Sequence, residues 1–297
     1  MKKWTSVMIL SISVLIIAAP LYSGAKSAFV AGRDPAPAWT DETLAAHALG
    51  SVDNHFFTNS YEAFQQNYEK GYRLFEVDLQ LTTDGYLISR HDWGSYLYDR
   101  FRQELPRSEM DKPTSRKTIL DLPILDHYHA MSFEQICDLM RKNTDMWIIT
   151  DTKGSTAEEA QASFQALMRA AGTDTEVLSR IIPQVYSQEM YVWIEQVHSF
   201  SSYIYTLYQS PDTDSQVLEF VRRTESIDAV TMPEDRARKS VKLVQQLASL
   251  QVPVYAHTVN DLEAIRSLLA SGVHGVYSDS MTYARMAAAG ISIPEGK

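Results

Sequence analysis

Two short runs in this sequence carry ionisable residues spaced two positions apart. Glu76-Val77-Asp78 puts two carboxylates on one face of a predicted strand, and Asp151-Thr152-Lys153 repeats this spacing at the end of another. Two buried like charges are costly unless a cation neutralises them or one carboxyl group binds a proton. Because all the candidate ligands are carboxylates, we predict one divalent hard cation, Mg²⁺ or Ca²⁺, rather than zinc. The predicted metal ligands are Glu76, Asp78 and Asp151.

Two histidines follow predicted strands in the same way. His47 ends the first strand, and His91 ends a short strand that follows the carboxylate pair. An imidazole titrates near neutral pH, so it can act as a general base or a general acid. A lone histidine at a strand end is more often structural, but the joint placement of five ionisable residues favours a site. We predict that His47 and His91 are catalytic; which one is the base stays open.

The elements that must position these residues alternate between short apolar runs and longer amphipathic ones. The predicted strands are Leu44–Ala48, Leu74–Leu79, Met146–Thr150, Ile181–Tyr186, Tyr203–Tyr208, Ala229–Met232, Val254–Thr258 and Gly275–Ser278. The clearest helical patterns are Ser60–Lys70, Thr156–Ala171, Glu189–Phe200, Ser215–Thr224, Lys239–Leu250 and Asp261–Ser271. This alternation predicts an α/β fold, a (β/α)8 TIM barrel. An open doubly wound sheet is the alternative, but no glycine-rich turn follows the first strand.

One stretch interrupts the alternation after the second strand. Residues 85–92 predict a short extra strand, and a polar loop of about forty residues extends from there to Phe133. A loop of that length in a compact domain is usually functional or an inserted element. Its position after a strand places it at the C-terminal face of the barrel, where such enzymes have their active sites.

The N-terminus differs from the rest of the chain. Two lysines precede an apolar run over residues 7–22, and three small residues follow it at 23–25. The pattern predicts a signal peptide or an N-terminal membrane anchor over residues 1–25. We therefore expect an extracytoplasmic protein, either secreted or attached to the membrane by this segment if it is not cleaved. Residues 26–41 are predicted to be a linker, and residues 42–297 the barrel domain.

Composition limits the partners that the protein can have. Hydrophobic residues make up 45% of the chain, enough for one large core and one catalytic domain. The formal net charge of -10 argues against general affinity for nucleic acid phosphates. We therefore expect no nucleic acid partner, and a small-molecule or lipid substrate whose phosphate would need local positive charge.

Three motifs occur in a characteristic order near the start of the predicted barrel. They are Ala46–Gly50, Thr58–Phe64, and the stretch from Phe75–Asp78 through Asp84 to Asp92. With them the chain resembles the glycerophosphodiester phosphodiesterase family of the phosphatidylinositol-specific phospholipase C-like superfamily, over nearly all of residues 44–290. The resemblance implies metal-dependent hydrolysis, or intramolecular transesterification, of a glycerophosphodiester or a phospholipid-type phosphodiester.

The resemblance also implies roles for individual residues. His47 and His91 match the acid and base of the family, and Glu76 and Asp78 match its metal ligands. Asn59 matches an asparagine that helps to bind the phosphate, and Lys153 matches a phosphate-contacting lysine. The predicted substrate-binding residues are Asn59, Lys153, Gln184, Tyr186 and His257.

The chain departs from the family pattern at three positions. The arginine that usually follows the first histidine is Ala48, so one phosphate-binding side chain is missing. The third metal ligand, commonly glutamate, is Asp151, and His257 stands where the family often has an aromatic residue, before the Thr-Val-Asn of the seventh predicted strand. These departures indicate a divergent member with an unusual phosphodiester substrate.

Two other functions are compatible with parts of the pattern. A non-catalytic binding module for a phosphorylated ligand at the cell envelope is favoured by Ala48, whereas the two histidines and three carboxylates favour an enzyme. A glycoside hydrolase is the weaker alternative, because Glu76 and Asp78 lie two positions apart on one strand. Such carboxylates are poorly placed to flank a glycosidic bond from opposite sides.

Overall fold

The computed structural model describes residues 36–292 of the chain. The predicted signal or anchor segment, residues 1–25, and most of the predicted linker lie outside the described residues. Among the helices of residues 36–292, none has the length and apolar character needed to cross a membrane.

Nine strands form the central sheet. They are β1 Leu44–Ala46, β2 Leu74–Leu81, β3 Leu87–Ser89, β4 Trp147–Asp151, β5 Ile181–Val185, β6 Tyr203–Thr206, β7 Ile227–Pro233, β8 Val254–His257 and β9 Gly275–Ser278. The order β1-β9-β8-β7-β6-β5-β4-β2 closes on itself because β1 also pairs with β2. The eight ring strands are parallel, and β3 pairs antiparallel with β2 outside the ring. The predicted TIM barrel with an extra strand is confirmed, and the open sheet is excluded.

Twelve α-helices accompany the strands within the described residues. They are α1 Tyr61–Glu69, α2 Ser95–Arg100, α3 Arg116–Leu120, α4 Phe133–Lys142, α5 Ala157–Ala171, α6 Thr175–Leu178, α7 Gln188–Glu195, α8 Asp214–Arg223, α9 Glu234–Lys239, α10 Val241–Ser249, α11 Leu262–Ala270 and α12 Tyr283–Ala288. Capping boxes begin α4 at Ser132 and α8 at Thr213, where each side chain accepts a hydrogen bond from the first turn.

Besides small shifts at the ends of other elements, three local predictions differ from the structure. The first strand ends at Ala46 and not at Ala48, because Ala48 and Leu49 adopt left-handed backbone angles in a 3-10 turn. The seventh helix ends at Glu195, well before the predicted Phe200. The predicted loop before Phe133 contains α2 and α3, which are too short to show a helical period in the sequence.

The strands point alternate residues into the barrel, and the inward residues change character along each strand. At the lower end they are apolar and form one buried cluster: Trp39, Ala45, Leu74, Ile149, Ile182, Ile204, Ala229, Tyr255 and Tyr277. Two or four positions further along the same strands lie His47, Glu76, Asp78, Asp151, Gln184, His257 and Asp279. The barrel therefore has a closed apolar floor and a polar mouth at the C-terminal ends of its strands.

The floor is completed by a segment that precedes β1. Residues Ala38–Asp41 form a 3-10 helix, and its Trp39 is only 2% exposed. The Trp39 indole stacks on Tyr255 with ring centroids 6.3 Å apart, and its Nε1 donates to Ser202 Oγ at 2.9 Å. The packed part of the chain therefore extends into residues that the sequence assigned to a linker.

The insertion between β3 and α4 has a small core of its own. Its buried residues are Trp93, Tyr98, Met110 and Ile119, which pack together with Ile88 of β3. The guanidinium of Arg90 lies in this core, 4.3 Å from the centroid of the Tyr98 ring. Arg90 Nε donates to the backbone oxygen of Asp92 at 2.7 Å, so the insertion packs directly behind the segment that carries His91.

Candidate active site

Three buried carboxylates meet at the mouth of the barrel. Glu76 and Asp78 lie on β2 and Asp151 ends β4, where Asp78 and Asp151 are directly opposite each other in the parallel pairing. One oxygen from each lies within 4.8 Å of the others, and all three residues are at most 8% exposed. The structure thus brings together the three residues that the sequence predicts as metal ligands.

The carboxylates are oriented by neighbouring donors. Glu76 Oε2 accepts a hydrogen bond from the Ala48 amide at 2.6 Å. Asn59 donates from Nδ2 to Asp78 Oδ2 at 2.8 Å and accepts from the Asp78 amide at 3.0 Å. Lys153 Nζ contacts Asp78 Oδ1 and lies 3.2 Å from Asp151 Oδ2. Asn59 and Lys153, the two residues predicted to bind the phosphate, therefore both contact the carboxylate cluster.

The three buried carboxylates carry more negative charge than the neighbouring side chains readily neutralise. Burial and the charge of Asp78 raise the pKa of Glu76 to about 8. Burial opposes ionisation of Asp78 as well, but the charges of Lys153, His91 and His47 and the Lys153 hydrogen bond together outweigh it and lower the Asp78 pKa. A buried set of oxygen donors with surplus negative charge fits a hard divalent cation. Glu76, Asp78 and Asp151 would be its protein ligands.

His47 lies at the edge of this cluster and is held by a carboxylate. Its Nδ1 lies 2.8 Å from Asp279 Oδ1, and Asn260 in turn donates to Asp279 Oδ2 at 2.7 Å. Burial lowers the pKa of His47, but the Asp279 hydrogen bond and the charges of the buried carboxylates outweigh it and raise the pKa to about 9. No hydrogen bond within residues 36–292 engages the other ring nitrogen, Nε2, which is free to exchange a proton.

His91 is also held at Nδ1 by a carboxylate. Its Nδ1 lies 2.7 Å from Asp92 Oδ2, and Asp92 also accepts from the Gly94 amide at 2.6 Å and from the Tyr96 hydroxyl. In the described part of the chain Nε2 of His91 has no hydrogen-bond partner. A carboxylate on Nδ1 fixes the orientation and tautomer of an imidazole, leaving Nε2 for proton transfer.

Phe57 links the two histidines. Its ring meets His47 edge-on, with centroids 5.3 Å apart and planes at 86°, and meets His91 at 6.0 Å and 69°. One half-buried aromatic ring therefore contacts both imidazoles. The sequence offered no signal for this role, because Phe57 lies in an irregular segment between β1 and α1.

The remaining predicted substrate-binding residues line the same mouth. Tyr186 donates to Asp151 Oδ1 at 2.6 Å, and Gln184 Nε2 lies 3.5 Å from the Tyr186 hydroxyl. His257 Nδ1 lies 2.8 Å from Thr231 Oγ1. Burial, with a smaller contribution from the charge of His47, lowers the pKa of His257 to about 4, so this imidazole is neutral at pH 7. It can donate or accept one hydrogen bond to a substrate.

Two residues of the site were not singled out from the sequence. Asp279 and Asp92 each hold one of the two histidines. Asp279 follows the inward-facing Tyr277 by two positions, so the strand periodicity that identified Glu76 and Asp78 applies to it as well. Asp92 is adjacent to His91, and only the backbone turn that brings its carboxylate back to the ring distinguishes it from a solvated side chain.

A buried set of carboxylates that could hold a hard cation, beside two imidazoles whose Nε2 atoms have no partner in residues 36–292, is an arrangement that suits a metal-assisted hydrolase on a barrel fold. The family model described as the glycerophosphoryl diester phosphodiesterase family matches residues 50–282. The chain belongs to this family, and the protein is accordingly a phosphoric diester hydrolase. No match was found among curated protein sequences.

Solved structures of the family share the fold at low sequence identity. A Silicibacter pomeroyi protein assigned to the glycerophosphoryl diester phosphodiesterases is 17% identical, with 84% of this chain and 95% of that chain covered and a TM-score of 0.69. A Thermotoga maritima glycerophosphodiester phosphodiesterase is 17% identical, with coverages of 80% and 94% and a TM-score of 0.60. An Oleispira antarctica phosphodiesterase in complex with the product sn-glycerol-3-phosphate is 13% identical, with coverages of 80% and 93% and a TM-score of 0.63.

Proposed function

We propose that the protein cleaves a glycerophosphodiester or phospholipid-type phosphodiester, with His47 and His91 as its acid-base pair and a divalent cation, Mg²⁺ or Ca²⁺, as cofactor. The observation that carries the proposal is the matched pair of histidines, each held at Nδ1 by a carboxylate, each free at Nε2, and both in contact with the Phe57 ring. A module that only binds a ligand has no need for two such groups.

The cation would be held by Glu76, Asp78 and Asp151, and when bound it would neutralise charge on a non-bridging phosphate oxygen. Lys153 adds positive charge beside it, and Asn59 keeps the Asp78 carboxylate in place through its paired hydrogen bonds. Preorganised charge of this kind stabilises the transition state more than the ground state, because negative charge accumulates on the phosphoryl oxygens.

Proton transfer is the task of the two histidines. One Nε2 removes the proton from the attacking oxygen as its bond to phosphorus forms, and the other gives a proton to the alcohol oxygen as its bond to phosphorus breaks. The attacking group is water or a neighbouring hydroxyl of the substrate; in the second case the first product is a cyclic phosphate. Asp279 and Asp92 hold each ring in the orientation that this exchange requires.

We further propose that this chemistry takes place outside the cytoplasm. The support is the apolar run over residues 7–22 with lysines before it and small residues after it, which is typical of an export signal or membrane anchor. If the segment remains uncleaved, the enzyme would work at a membrane surface.

A panel of phosphodiesters tests the proposed activity. Glycerophosphocholine, glycerophosphoglycerol and phosphatidylinositol are incubated with the protein, and free alcohol and cyclic phosphate are measured with and without EDTA. We expect alcohol release that stops with EDTA and returns with Mg²⁺ or Ca²⁺; the better metal identifies the cofactor. Ligand binding without any release would instead support a binding module and contradict the proposal.

A further inference from the structure

The mouth of the barrel is strongly acidic for a site that must accept an anion. Besides the three buried carboxylates it contains Asp92 and Asp279, whereas Lys153 already contacts Asp78 and Asp151. Ala48, beside His47, contributes no charge and is fully buried. A phosphodiester carries a negative charge, so further positive charge near the histidines would favour its binding.

The insertion after β3 supplies one arginine that is available for this purpose. Of the five arginines between β3 and α4, three form ion pairs: Arg102 with Asp126, Arg107 with Asp99 and Arg116 with Glu134. A fourth, Arg90, is buried in the insertion core. The fifth, Arg100 at the end of α2, is exposed, and within residues 36–292 it has neither an ion pair nor a side-chain hydrogen bond.

The position of Arg100 relates it directly to the catalytic histidines. Its guanidinium carbon lies 5.5 Å from the centroid of the Phe57 ring, the same ring that contacts His47 and His91. A guanidinium placed against an aromatic ring keeps its N–H groups available at its edge, and these can bind two oxygens of one phosphate. The contact with the half-buried Phe57 thus holds the Arg100 guanidinium near the histidines and leaves the N–H donors of Arg100 unused.

We propose that Arg100 binds the phosphodiester anion of the substrate and supplies the side-chain charge that position 48 lacks. The inference rests on the proposed function and deepens it, because it makes the insertion a substrate-binding element. It also gives α2, which ends at Arg100, a part in substrate binding. Arg102 and Arg107, which form ion pairs, have no such part.

The test compares Arg100→Ala and Arg100→Lys with the matched control Arg102→Ala, an arginine two positions away that is 70% exposed and paired with Asp126. We expect Arg100→Ala to raise KM about tenfold with kcat nearly unchanged, as for loss of one charge-assisted hydrogen bond at a partly solvated site. Arg100→Lys keeps the charge but loses the paired donors, so its KM should lie between those of Arg100→Ala and wild type. Arg102→Ala should stay within about twofold of wild type.

A second measurement does not depend on turnover. Calorimetric binding of sn-glycerol 3-phosphate should weaken about tenfold in Arg100→Ala and stay unchanged in Arg102→Ala. The KM loss should also be equal for glycerophosphoglycerol and glycerophosphocholine, which share only the glycerophosphate part. An equal KM for Arg100→Ala and Arg102→Ala, or a loss confined to one headgroup, would overturn the inference.

The two proposals fail in different ways. Wild-type protein that binds sn-glycerol 3-phosphate through Arg100 but releases no alcohol contradicts the proposed activity and supports the role of Arg100. Wild-type protein that is active, with Arg100→Ala equally active and equally tight in binding, contradicts the role of Arg100 alone. Absence of both binding and turnover contradicts both.

Discussion

At the scale of single residues, His47 and His91 share a carboxylate partner at Nδ1 but need not share a role. We expect His47→Ala and His91→Ala each to lower kcat on glycerophosphocholine by about 10²–10⁴-fold, the usual contribution of general acid-base catalysis. A nitrophenyl phosphodiester has a leaving group that departs without a proton. The variant that lacks the general acid should therefore recover most of its activity on that ester, and the variant that lacks the base should not.

The control for this experiment is another histidine of the chain that pairs with a carboxylate. His129 Nδ1 lies 2.7 Å from Glu62 Oε1, but its side chain is 62% exposed and it does not belong to the acidic cluster. His129→Ala should keep wild-type turnover on both esters. Near-normal turnover of glycerophosphocholine by both His47→Ala and His91→Ala would contradict the acid-base mechanism.

At the scale of elements, strand periodicity was sufficient to predict most of the barrel and much of its site. Inward positions repeat every second residue, so an apolar residue such as Leu74 predicts that Glu76 and Asp78 share its face. Contacts made outside this period were not predictable. The proximity of Arg100 and Phe57 depends on how a six-residue helix packs, and short helices leave no period in a sequence.

The 3-10 helix Ala38–Asp41 offers a prediction at this scale, because the sequence placed it in a linker and the structure packs it into the barrel floor. Trp39→Ala should lower the free energy of unfolding by about 3–5 kcal/mol, as expected for removing a fully buried indole. Trp39→Phe retains most of the packing and loses the hydrogen bond to Ser202, so it should cost about 1 kcal/mol.

Denaturant unfolding of both Trp39 variants, each compared with wild type, measures this series. The exposed Val192 on α7 gives the control, since Val192→Ala removes side-chain atoms from a surface position and should change stability little. Turnover at 25 °C should be unchanged in all three variants, because the floor is separated from the mouth by the inward residues of the barrel. If Trp39→Ala had the same denaturant midpoint as wild type, the segment would not stabilise the barrel and would behave as a linker.

At the scale of the whole molecule, buried neutral histidines make the fold sensitive to acid. Burial first, and then the charge of His47, lowers the pKa of His257 to about 4, while an unfolded histidine titrates near 6.5. Between these values the unfolded chain binds a proton that the folded chain does not. The contribution of His257 to the free energy of unfolding is therefore fully present above pH 6.5. It is lost as the pH falls, by as much as about 3 kcal/mol at pH 4.

His47 and Glu76 also change the stability of the fold with pH, in the opposite direction to His257, so a matched variant is necessary. The pKa of His47 is raised to about 9, so its contribution is lost only as the pH rises from 6.5 through 9 and is constant in acid. The pKa of Glu76 is raised to about 8, so protonation of this group favours the folded state as the pH falls from 8. Wild-type stability alone therefore mixes opposing slopes, and only its difference from a His257 variant isolates that residue.

His257→Gln removes the titrating group and keeps a side chain that can hydrogen-bond to Thr231. Measured by denaturant unfolding in EDTA between pH 7 and pH 4, this variant should gain stability relative to wild type as the pH falls, by up to about 3 kcal/mol. The exposed His55 provides the control, and His55→Gln should run parallel to wild type. If His257→Gln also runs parallel, the imidazole at the end of β8 titrates as it does in the unfolded chain, and it would then be charged, not neutral, toward the substrate in mild acid.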